Sequence, residues 1–276
     1  MPELPEVQTI VDDLMRLAKI PGRRIQRAHV FWPPSIAQPT FSIFRKRIQR
    51  RTIATVRRRG KYMIFDFCEG RHLLLHLRMS GRLRWSLSTV PREPHEHVLL
   101  DFGSHHLRLH DPRKFGRFSL VDDWEAALAH LGPEPLEPEF TVKTLSECLE
   151  SRRRMLKPLL LDQTVIAGLG NIYVDESLWE ARLHPCRTAS TLSTDERQAL
   201  HQAIREVLRR GLANRGSTLG SGRANFYSID GVPGQHRHDL KVFRRTGHPC
   251  PRCHISIERR VLAQRSTHIC PQCQLL

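Results

Sequence analysis

The sequence lacks a long hydrophobic run. No apolar stretch in its 276 residues approaches the about 20 residues that a transmembrane helix requires, and no signal peptide precedes the helix-like start. These absences favour a cytoplasmic protein without a membrane partner. Three of the seven cysteines, Cys68, Cys148 and Cys186, are scattered, so we expect free thiols rather than disulfides in a reducing compartment.

Acidic residues are also scarce. The chain has 44 Lys and Arg against 28 Asp and Glu, which gives a formal net charge of +16 and an isoelectric point near 10.4. This excess favours a polyanionic partner, nucleic acid first and an anionic membrane surface second. Residues 45–61 carry nine Lys or Arg and no acid, although such a run is usually a solvated face. A second basic cluster contains Arg152, Arg153, Arg154 and Lys157.

The first half of the chain has the pattern of one helix followed by strands. Apolar residues recur at helical spacing over 4–18, and Pro21-Gly22 ends that helix. The short apolar or alternating runs that follow lie at residues 62–67, 73–78, 98–102, 107–110 and 117–121. Strands without intervening helices predict an antiparallel sandwich or barrel, which a helix at 122–131 closes.

The second half has a helical pattern. Residues 132–140 contain three prolines in nine positions, so this stretch is the predicted domain boundary. Beyond it, Thr141 caps one helix, and Ser193 with Glu196 forms a capping box for a helix that ends at Gly211. Residues 214–238 are rich in Gly and Ser and predict a mobile loop. The length is sufficient for two domains with a proper core.

Four cysteines form two spaced pairs. Cys250 and Cys253 make one Cys-x-x-Cys pair, and Cys270 and Cys273 make another after sixteen intervening residues. This spacing fits a tetrahedral, all-thiolate zinc (Zn2+) site with a hairpin between the pairs. The ion is expected to be structural, because four thiolates leave no open position for water. The alternative, two redox-active pairs, lacks the βαβ context of such motifs.

The first six residues are Met-Pro-Glu-Leu-Pro-Glu. If Met1 is removed, Pro2 carries a secondary amine at the chain terminus. An α-amino group has a pKa of about 8, so a useful fraction of the amine is neutral at physiological pH. Such an amine can attack a sugar carbon and form an iminium, while Glu3 and Glu6 supply carboxylates for proton transfer. Taken alone, these residues are better explained as an ordinary helix start, since Pro and Glu suit a first turn.

Six motifs occur together and in order. They are MPELPEV at the start, RRGKYMIF around Lys61, HLRMSGRL at 76–83, DPRKFGRF at 111–118, GLGNIYVDE at 168–176 and QRSTHICPQCQ at 264–274. With the cysteine spacing, they resemble the formamidopyrimidine-DNA glycosylase family of bacterial enzymes, which remove oxidised purines from DNA. The match spans nearly the whole chain.

The resemblance implies an α+β multidomain fold. Its parts are an N-terminal β-sandwich with a leading helix at 1–131, a hinge at 132–140, a helical helix–two-turn–helix domain with a lesion-capping loop at 141–237, and a C-terminal zinc-finger β-hairpin at 238–276. In the family, damaged double-stranded DNA lies in the cleft between the domains. The implied cofactor is one structural zinc ion, and we expect a monomer.

The resemblance also implies catalytic roles. Pro2 matches the nucleophile that attacks C1′ of the damaged nucleotide, Glu3 matches its acid/base partner, and Glu6 is expected near the damaged base. Lys61 matches a proton donor for β-elimination that also contacts a phosphate. Arg265 matches the residue associated with δ-elimination.

The remaining implied residues contact the DNA. A base that is flipped out of the duplex leaves a hole, which an apolar wedge and a base-reading arginine fill. Met79, Arg113 and Phe115 match the family's intercalating trio. Without the flanking motifs, Met79 and Phe115 would be better explained as core residues at strand ends. The residues that match contacts to the DNA backbone are His95, Arg153 and Asn171.

One segment departs from the family pattern. The family usually has an aromatic residue after Gly and then Tyr-Gly-Arg before the first zinc cysteine, whereas this chain has Gln235-His236 and Phe243-Arg244-Arg245. This region is expected to cover the flipped base, so lesion preference is the least constrained inference. Two alternatives therefore remain: an endonuclease VIII-like glycosylase for oxidised pyrimidines, and a non-enzymatic zinc-ribbon DNA-binding protein. Leu4 and the complete intercalating trio favour oxidised purines.

Overall fold

The structure is a computed structural model that describes residues 1–220 and 226–276, and it divides into two units. The first unit contains residues 1–129 and 214–235, and the second contains residues 130–213 and 236–276. Residues 221–225 of the loop predicted over 214–238 lie outside the described residues. Among the helices of the described parts, none combines the length and the apolar character that crossing a membrane requires.

Two sheets form the framework of the first unit. Its helices are α1 (Leu4–Arg16), α2 (Phe41–Ile48) and α3 (Trp124–Leu128). Its strands are β1 (Arg27–Val30), β2 (Ile36–Gln38), β3 (Ile53–Arg59), β4 (Tyr62–Phe67), β5 (His72–His76), β6 (Arg82–Leu87), β7 (Glu96–Asp101), β8 (His105–His110) and β9 (Arg117–Val121). One sheet has the order β1-β7-β8-β6, and the other has the order β2-β9-β5-β4-β3. Pairing is antiparallel throughout except between β2 and β9.

A single apolar cluster joins the two sheets and α1. Successive residues of a strand point to opposite faces, so alternate residues of each strand enter the same core. The members include Met63, Phe65, Leu73 and Leu75 from one sheet, Val98, Leu100, Leu107 and Leu109 from the other, and Val7, Ile10 and Leu14 from α1. This arrangement confirms the predicted sandwich with a leading helix.

The structure differs from the sequence-based expectation at two helices. The sequence predicted strands without intervening helices between the leading helix and residue 121, but α2 forms among them, with Phe44 and Ile48 as its buried residues. Two buried positions four residues apart give a weak periodic signal, and the basic residues around them resemble a solvated run. The helix expected at 122–131 is shorter: α3 begins after Asp123, whose side chain accepts the backbone N–H groups of Glu125 and Ala126, and it ends at Leu128.

The second unit contains four helices and one hairpin in its described residues. The elements are α4 (Val142–Leu149), α5 (Leu156–Leu160), α6 (Asn171–Glu180), α7 (Thr194–Ala213), β10 (Glu258–Leu262) and β11 (Arg265–Ile269). Thr141 caps α4 by accepting the Thr144 N–H at 3.1 Å. The predicted capping box of α7 is confirmed, since Glu196 accepts the Ser193 N–H at 2.8 Å and Ser193 accepts the Glu196 N–H at 3.2 Å. The hairpin between the cysteine pairs is also confirmed.

The division of the chain differs from the expected domain boundaries at residues 214–235. This segment was assigned to the helical domain, but it groups with the first unit. The reason is a set of long-range bonds: Arg215 pairs with Asp13 at 2.7 Å, and the Trp85 N–H donates to the Ile229 carbonyl at 3.1 Å. Such bonds between distant residues leave no local pattern in the sequence.

Candidate active site

The start of α1 holds its two carboxylates in fixed positions. Glu3 and Glu6 are both buried, and Glu6 Oε2 accepts the Glu3 N–H at 2.8 Å. The second oxygen of Glu6 accepts the Ser217 N–H at 2.7 Å. Gly216 has a φ of +77°, and a Cβ there would lie 2.9 Å from Glu6 Cγ, so the close approach requires glycine. Pro2, also buried, directly precedes this turn.

Lys61 lies in the turn between β3 and β4. Gly60 adopts a φ of +57°, which a tight hairpin turn favours, and Lys61 is only 5% exposed. Arg58 ties this turn to α1, because it donates to the Gly60 carbonyl and to Gln8 Oε1, each at 3.0 Å. The sandwich therefore positions Lys61 and the carboxylates of α1 on elements that are bonded to each other.

His76, which sequence reasoning did not single out, lies opposite Tyr62 in the pairing of β4 with β5. Its Nδ1 accepts the Arg78 N–H at 2.9 Å, and its ring meets Tyr62 edge-on at 4.6 Å. Burial, helped by the charges of Arg78 and Lys61, lowers the pKa of His76 to about 3, so the ring is neutral at pH 7. The histidine inside the HLRMSGRL motif was the available signal.

Two loops present the predicted intercalating residues. Met79 is 37% exposed and Phe115 is 42% exposed, which does not fit the core interpretation of these residues. The Arg113 guanidinium lies 4.8 Å from the centre of the Phe115 ring. A cation over an aromatic face is a favourable pair, so Arg113 and Phe115 form one exposed cluster.

His95 is connected to the same loops. It adopts a φ of +68°, and its carbonyl accepts the Asp111 N–H at 2.9 Å. His97 Nε2 lies 3.0 Å from the Asp111 carbonyl oxygen, and the centres of the His95 and His110 rings are 5.9 Å apart. The first unit thus brings His95 together with the strand-end loop that carries Arg113 and Phe115.

In the second unit, the carbonyl of Ser266, the residue after Arg265, accepts two hydrogen bonds. Asn171, the first residue of α6, donates its side-chain amide to this carbonyl at 2.9 Å, and Lys157 donates to it at 2.7 Å. Arg265 itself is exposed at the start of β11. Asn171 is thus bonded to the residue that follows Arg265 in β11.

Lys157 does not belong to a basic surface, contrary to its grouping with the second basic cluster. It is fully buried and donates to Asp175 Oδ1 at 2.6 Å, while Asp175 Oδ2 accepts the His268 N–H at 2.9 Å. Arg154 pairs with Asp162 at 2.9 Å, and Arg153 is exposed. No described contact joins Arg153 to Asn171 or Arg265 in residues 1–220 and 226–276.

The segment that departs from the family pattern is held by Glu176. This buried carboxylate accepts the backbone N–H groups of Lys241, Val242 and Phe243 at 2.8, 2.9 and 2.8 Å. Burial outweighs these bonds and raises the pKa of Glu176. The centroids of the Phe243 and His268 rings are 4.9 Å apart. Phe243, one of the residues that depart from the family pattern, therefore packs against the hairpin.

The four predicted metal ligands lie together. Their sulfur atoms are all within 4.8 Å of one another, and the Cys250 and Cys273 sulfurs are 3.9 Å apart. Four thiolates around a zinc ion, with Zn–S bonds of about 2.3 Å, have sulfurs separated by about 3.8 Å. Cys250 Sγ also accepts bonds from Trp179 Nε1 at 3.4 Å and the Arg252 N–H at 3.5 Å. The donor set therefore fits one zinc ion.

Comparisons with known proteins cover nearly the whole chain. Residues 1–118 match the formamidopyrimidine-DNA glycosylase N-terminal domain, residues 131–222 match the formamidopyrimidine-DNA glycosylase H2TH domain, and residues 247–275 match the zinc finger found in FPG and IleRS. The formamidopyrimidine-DNA glycosylase of Protochlamydia amoebophila is 48% identical over 275 residues, which cover 99% of each chain.

Solved structures agree with this match. A Lactococcus lactis FPG mutant in complex with a Fapy-dG containing DNA superposes with a TM-score of 0.92 at 35% identity and covers all of both chains. The L. lactis Fpg in complex with an abasic site containing DNA gives a TM-score of 0.91 at 35% identity, with 99% of this chain and 100% of that chain covered. The chain belongs to the formamidopyrimidine-DNA glycosylase family.

Proposed function

We propose that the protein is a bifunctional DNA glycosylase and abasic-site lyase of base excision repair, which removes oxidised purines such as 8-oxoguanine and formamidopyrimidines from double-stranded DNA. The observation that carries this proposal is the position of Pro2 directly before α1, where the bond from Glu3 to Glu6 fixes the first turn. Family membership supports the substrate class, because similar proteins carry the glycosylase name and are solved with damaged DNA.

The first step is attack on the sugar. Once Met1 is removed, the lone pair of the Pro2 nitrogen forms a bond to C1′, the bond from C1′ to the base breaks, and the base leaves with a proton taken from solvent water. Glu3 is assigned to accept the amine proton and return a proton as the sugar ring opens. The product is an iminium, which joins the protein covalently to C1′.

The second step is elimination of the phosphates. The positive iminium acidifies the C2′ proton, and removal of that proton expels the 3′ phosphate. A further elimination expels the 5′ phosphate. Lys61 is assigned to the β-elimination and Arg265 to the δ-elimination, with Asn171 holding the same phosphate region. His95 and Arg153 are assigned to contacts with the DNA backbone, and Met79, Arg113 and Phe115 to the hole left by the flipped base.

The zinc ion has a structural part in this proposal. The four cysteines would hold it and so keep the hairpin that presents Arg265 ordered, while no reaction step passes through the metal. We further propose that the protein works as a monomer in the bacterial cytoplasm, with 132–140 as a hinge between the sandwich and the helical domain. The net charge of +16 supports duplex DNA as the partner.

Borohydride trapping tests the covalent step. Reduction of the iminium should link the protein permanently to a duplex that contains an abasic site. Pro2→Gly should trap poorly, whereas Pro5→Ala, a matched change in the same first turn, should trap like the wild type. The enzymatic proposal is wrong if the wild-type protein never traps.

A comparison of lesions tests the substrate. The assay compares, side by side, the cleavage of duplexes that contain 8-oxoguanine opposite cytosine with that of duplexes that contain thymine glycol. We expect the duplex with the purine lesion to be cleaved faster. Preference for thymine glycol would replace our proposal with the endonuclease VIII-like alternative.

Arg265→Ala tests the assignment of the later elimination. We expect weaker DNA binding and accumulation of the β-elimination product, with base excision less affected. Arg259→Ala removes an exposed arginine from the other strand of the same hairpin and serves as the control. Equal losses in excision and δ-elimination would contradict the role of Arg265.

A further inference from the structure

A groove in the first unit is not used by the proposed reaction. It lies between β1 and α2 and encloses about 370 Å³, with Arg27, Ala28, His29, Val30, Phe31, Phe41, Arg45 and Gln49 as its lining. A neighbouring cavity of about 280 Å³ shares Phe41, Arg45 and Gln49 and adds Ser42 and Lys46. Phe41, Arg45 and Gln49 line both cavities, so the two adjoin the same side of α2, and together they are called the groove.

The groove follows the edge of a sheet. β1 pairs with β7 on one side and is the outermost strand of its sheet. Neighbouring residues of a strand point to opposite faces, so five consecutive residues, 27–31, can line one cavity only if it runs along the strand edge. An edge strand offers outward N–H and C=O groups to which another extended chain can bond.

The walls of the groove are basic and aromatic. Arg27, Arg45 and Lys46 line the two cavities, and no Asp or Glu is among the lining residues. Phe31 is 47% exposed, and the Arg92 guanidinium lies 4.1 Å from its ring centre. The Arg45 guanidinium lies 5.7 Å from the centre of the Phe41 ring. Cations beside half-exposed rings suit a ligand that alternates negative and apolar side chains.

We propose that this groove docks an extended acidic peptide of a partner protein, which adds to β1 as a further strand and places apolar side chains against Phe31 and Phe41. Five residues of such a strand span about 17 Å, which matches the stretch 27–31. Backbone pairing gives affinity in this mode, and side-chain pockets give specificity. A single DNA strand would satisfy the charge, but its backbone has no N–H donors for the outward carbonyls of β1.

Fluorescence anisotropy with the full-length protein tests the groove. The probe is a fluorescein-labelled octapeptide in which four aspartates alternate with two phenylalanines and two isoleucines. Arg45→Glu should weaken its binding about tenfold. Arg47→Glu makes the same charge change on an exposed residue of α2 that does not line the groove, and it should change the affinity less than about threefold. Equal effects of the two variants would overturn the proposal.

Two further probes separate strand addition from general attraction. An octapeptide methylated at alternate backbone nitrogens keeps the charge and side chains but loses donors to β1, and it should bind at least about fivefold more weakly. A labelled single strand of thymidylates should respond alike to Arg45→Glu and Arg47→Glu. The proposal fails if methylation has no effect, or if the DNA strand shows the Arg45 selectivity predicted for the peptide.

Discussion

Ser80 and Asp111 join the two loops that carry the predicted intercalating residues. The Ser80 hydroxyl donates to Asp111 Oδ1, and the Gly116 N–H donates to Asp111 Oδ2 at 2.7 Å. Ser80 follows Met79 directly, and Gly116 follows Phe115. Both partners are buried, at 5% and 1% exposure, so one carboxylate fixes the spacing between these loops.

Asp111→Asn should therefore impair base flipping more than the chemistry. With its oxygen on the Gly116 N–H, the amide of asparagine turns its NH2 group towards the Ser80 hydroxyl, so both contacts become neutral hydrogen bonds while the side-chain volume stays the same. We expect excision of 8-oxoguanine from a duplex to slow about tenfold, because hydrogen bonds to an ionised carboxylate are roughly twice as strong as neutral ones. Cleavage of an abasic site in a single strand, which needs no flipping, should change less than about twofold. Single-turnover rates on both substrates measure the ratio.

Asp101→Asn is the matched control for this experiment. Asp101 Oδ1 accepts the Gly103 N–H at 2.7 Å in the turn between β7 and β8, which carries none of the proposed site residues. The same exchange there should leave both rates unchanged. Equal slowing of the two substrates by Asp111→Asn would show that Asp111 supports the whole unit rather than the loops.

The sequence predicted those elements whose signals are local. The leading helix has a continuous apolar face, the α7 capping box spans four residues, and the zinc hairpin lies between two Cys-x-x-Cys pairs. The helix α2 was not predicted, because only two of its residues, Phe44 and Ile48, are buried, which leaves a weak periodic signal.

The supporting contacts of the site were not predictable in the same way. Lys157 and the Ser266 carbonyl are 109 positions apart, and Glu6 and Ser217 are 211 apart. A lysine in a basic cluster has the same local sequence whether it faces solvent or a buried aspartate. Only the tertiary structure distinguishes these cases, so motif residues such as Arg265 were identified while the side chains that hold them were not.

Lys157→Met should strongly destabilise the second unit. Lys157 and Asp175 are fully buried, and removing the cation leaves the buried carboxylate with its contacts to His268 alone among the described bonds. Breaking a buried pair from one side costs about 3–5 kcal/mol. Arg154, three residues before Lys157, forms a more exposed pair with Asp162, and Arg154→Met should cost less than about 1 kcal/mol. Chemical denaturation measures both, and similar losses for the two variants would contradict the structural role of Lys157.

Trp179→Phe should weaken zinc binding without removing a ligand. The Trp179 Nε1–H donates to Cys250 Sγ at 3.4 Å, and the Arg252 guanidinium lies 3.8 Å from the Trp179 ring centre. Phenylalanine keeps a ring but loses the donor that stabilises the thiolate. Loss of such an outer contact lowers metal affinity about tenfold or more. Competition with a coloured chelator measures the affinity, and Trp124→Phe in the first unit should leave it unchanged.

The free energy of unfolding should decrease as the pH falls, because of His76. The pKa of this histidine is lowered from 6.5 to about 3 in the folded protein by burial and the charges of Arg78 and Lys61. Between these values the unfolded chain binds the proton and the folded one does not, so the stabilisation is complete above pH 6.5 and is lost as pH falls towards 3. One such group contributes at most about 1.4 kcal/mol per pH unit.

Chemical denaturation at pH 7.5, 6.0 and 5.0 measures this slope for the wild type and for His76→Gln, which keeps a polar side chain without the titration. The variant should be less stable at pH 7.5 and lose less stability towards pH 5.0, because the difference in proton uptake is gone. His236, whose pKa burial lowers to about 4, stays in both proteins and leaves a residual slope. His29→Gln, a change on the exposed face of β1, should retain the full wild-type slope. Identical slopes for His76→Gln and the wild type would mean that the proton is taken up elsewhere.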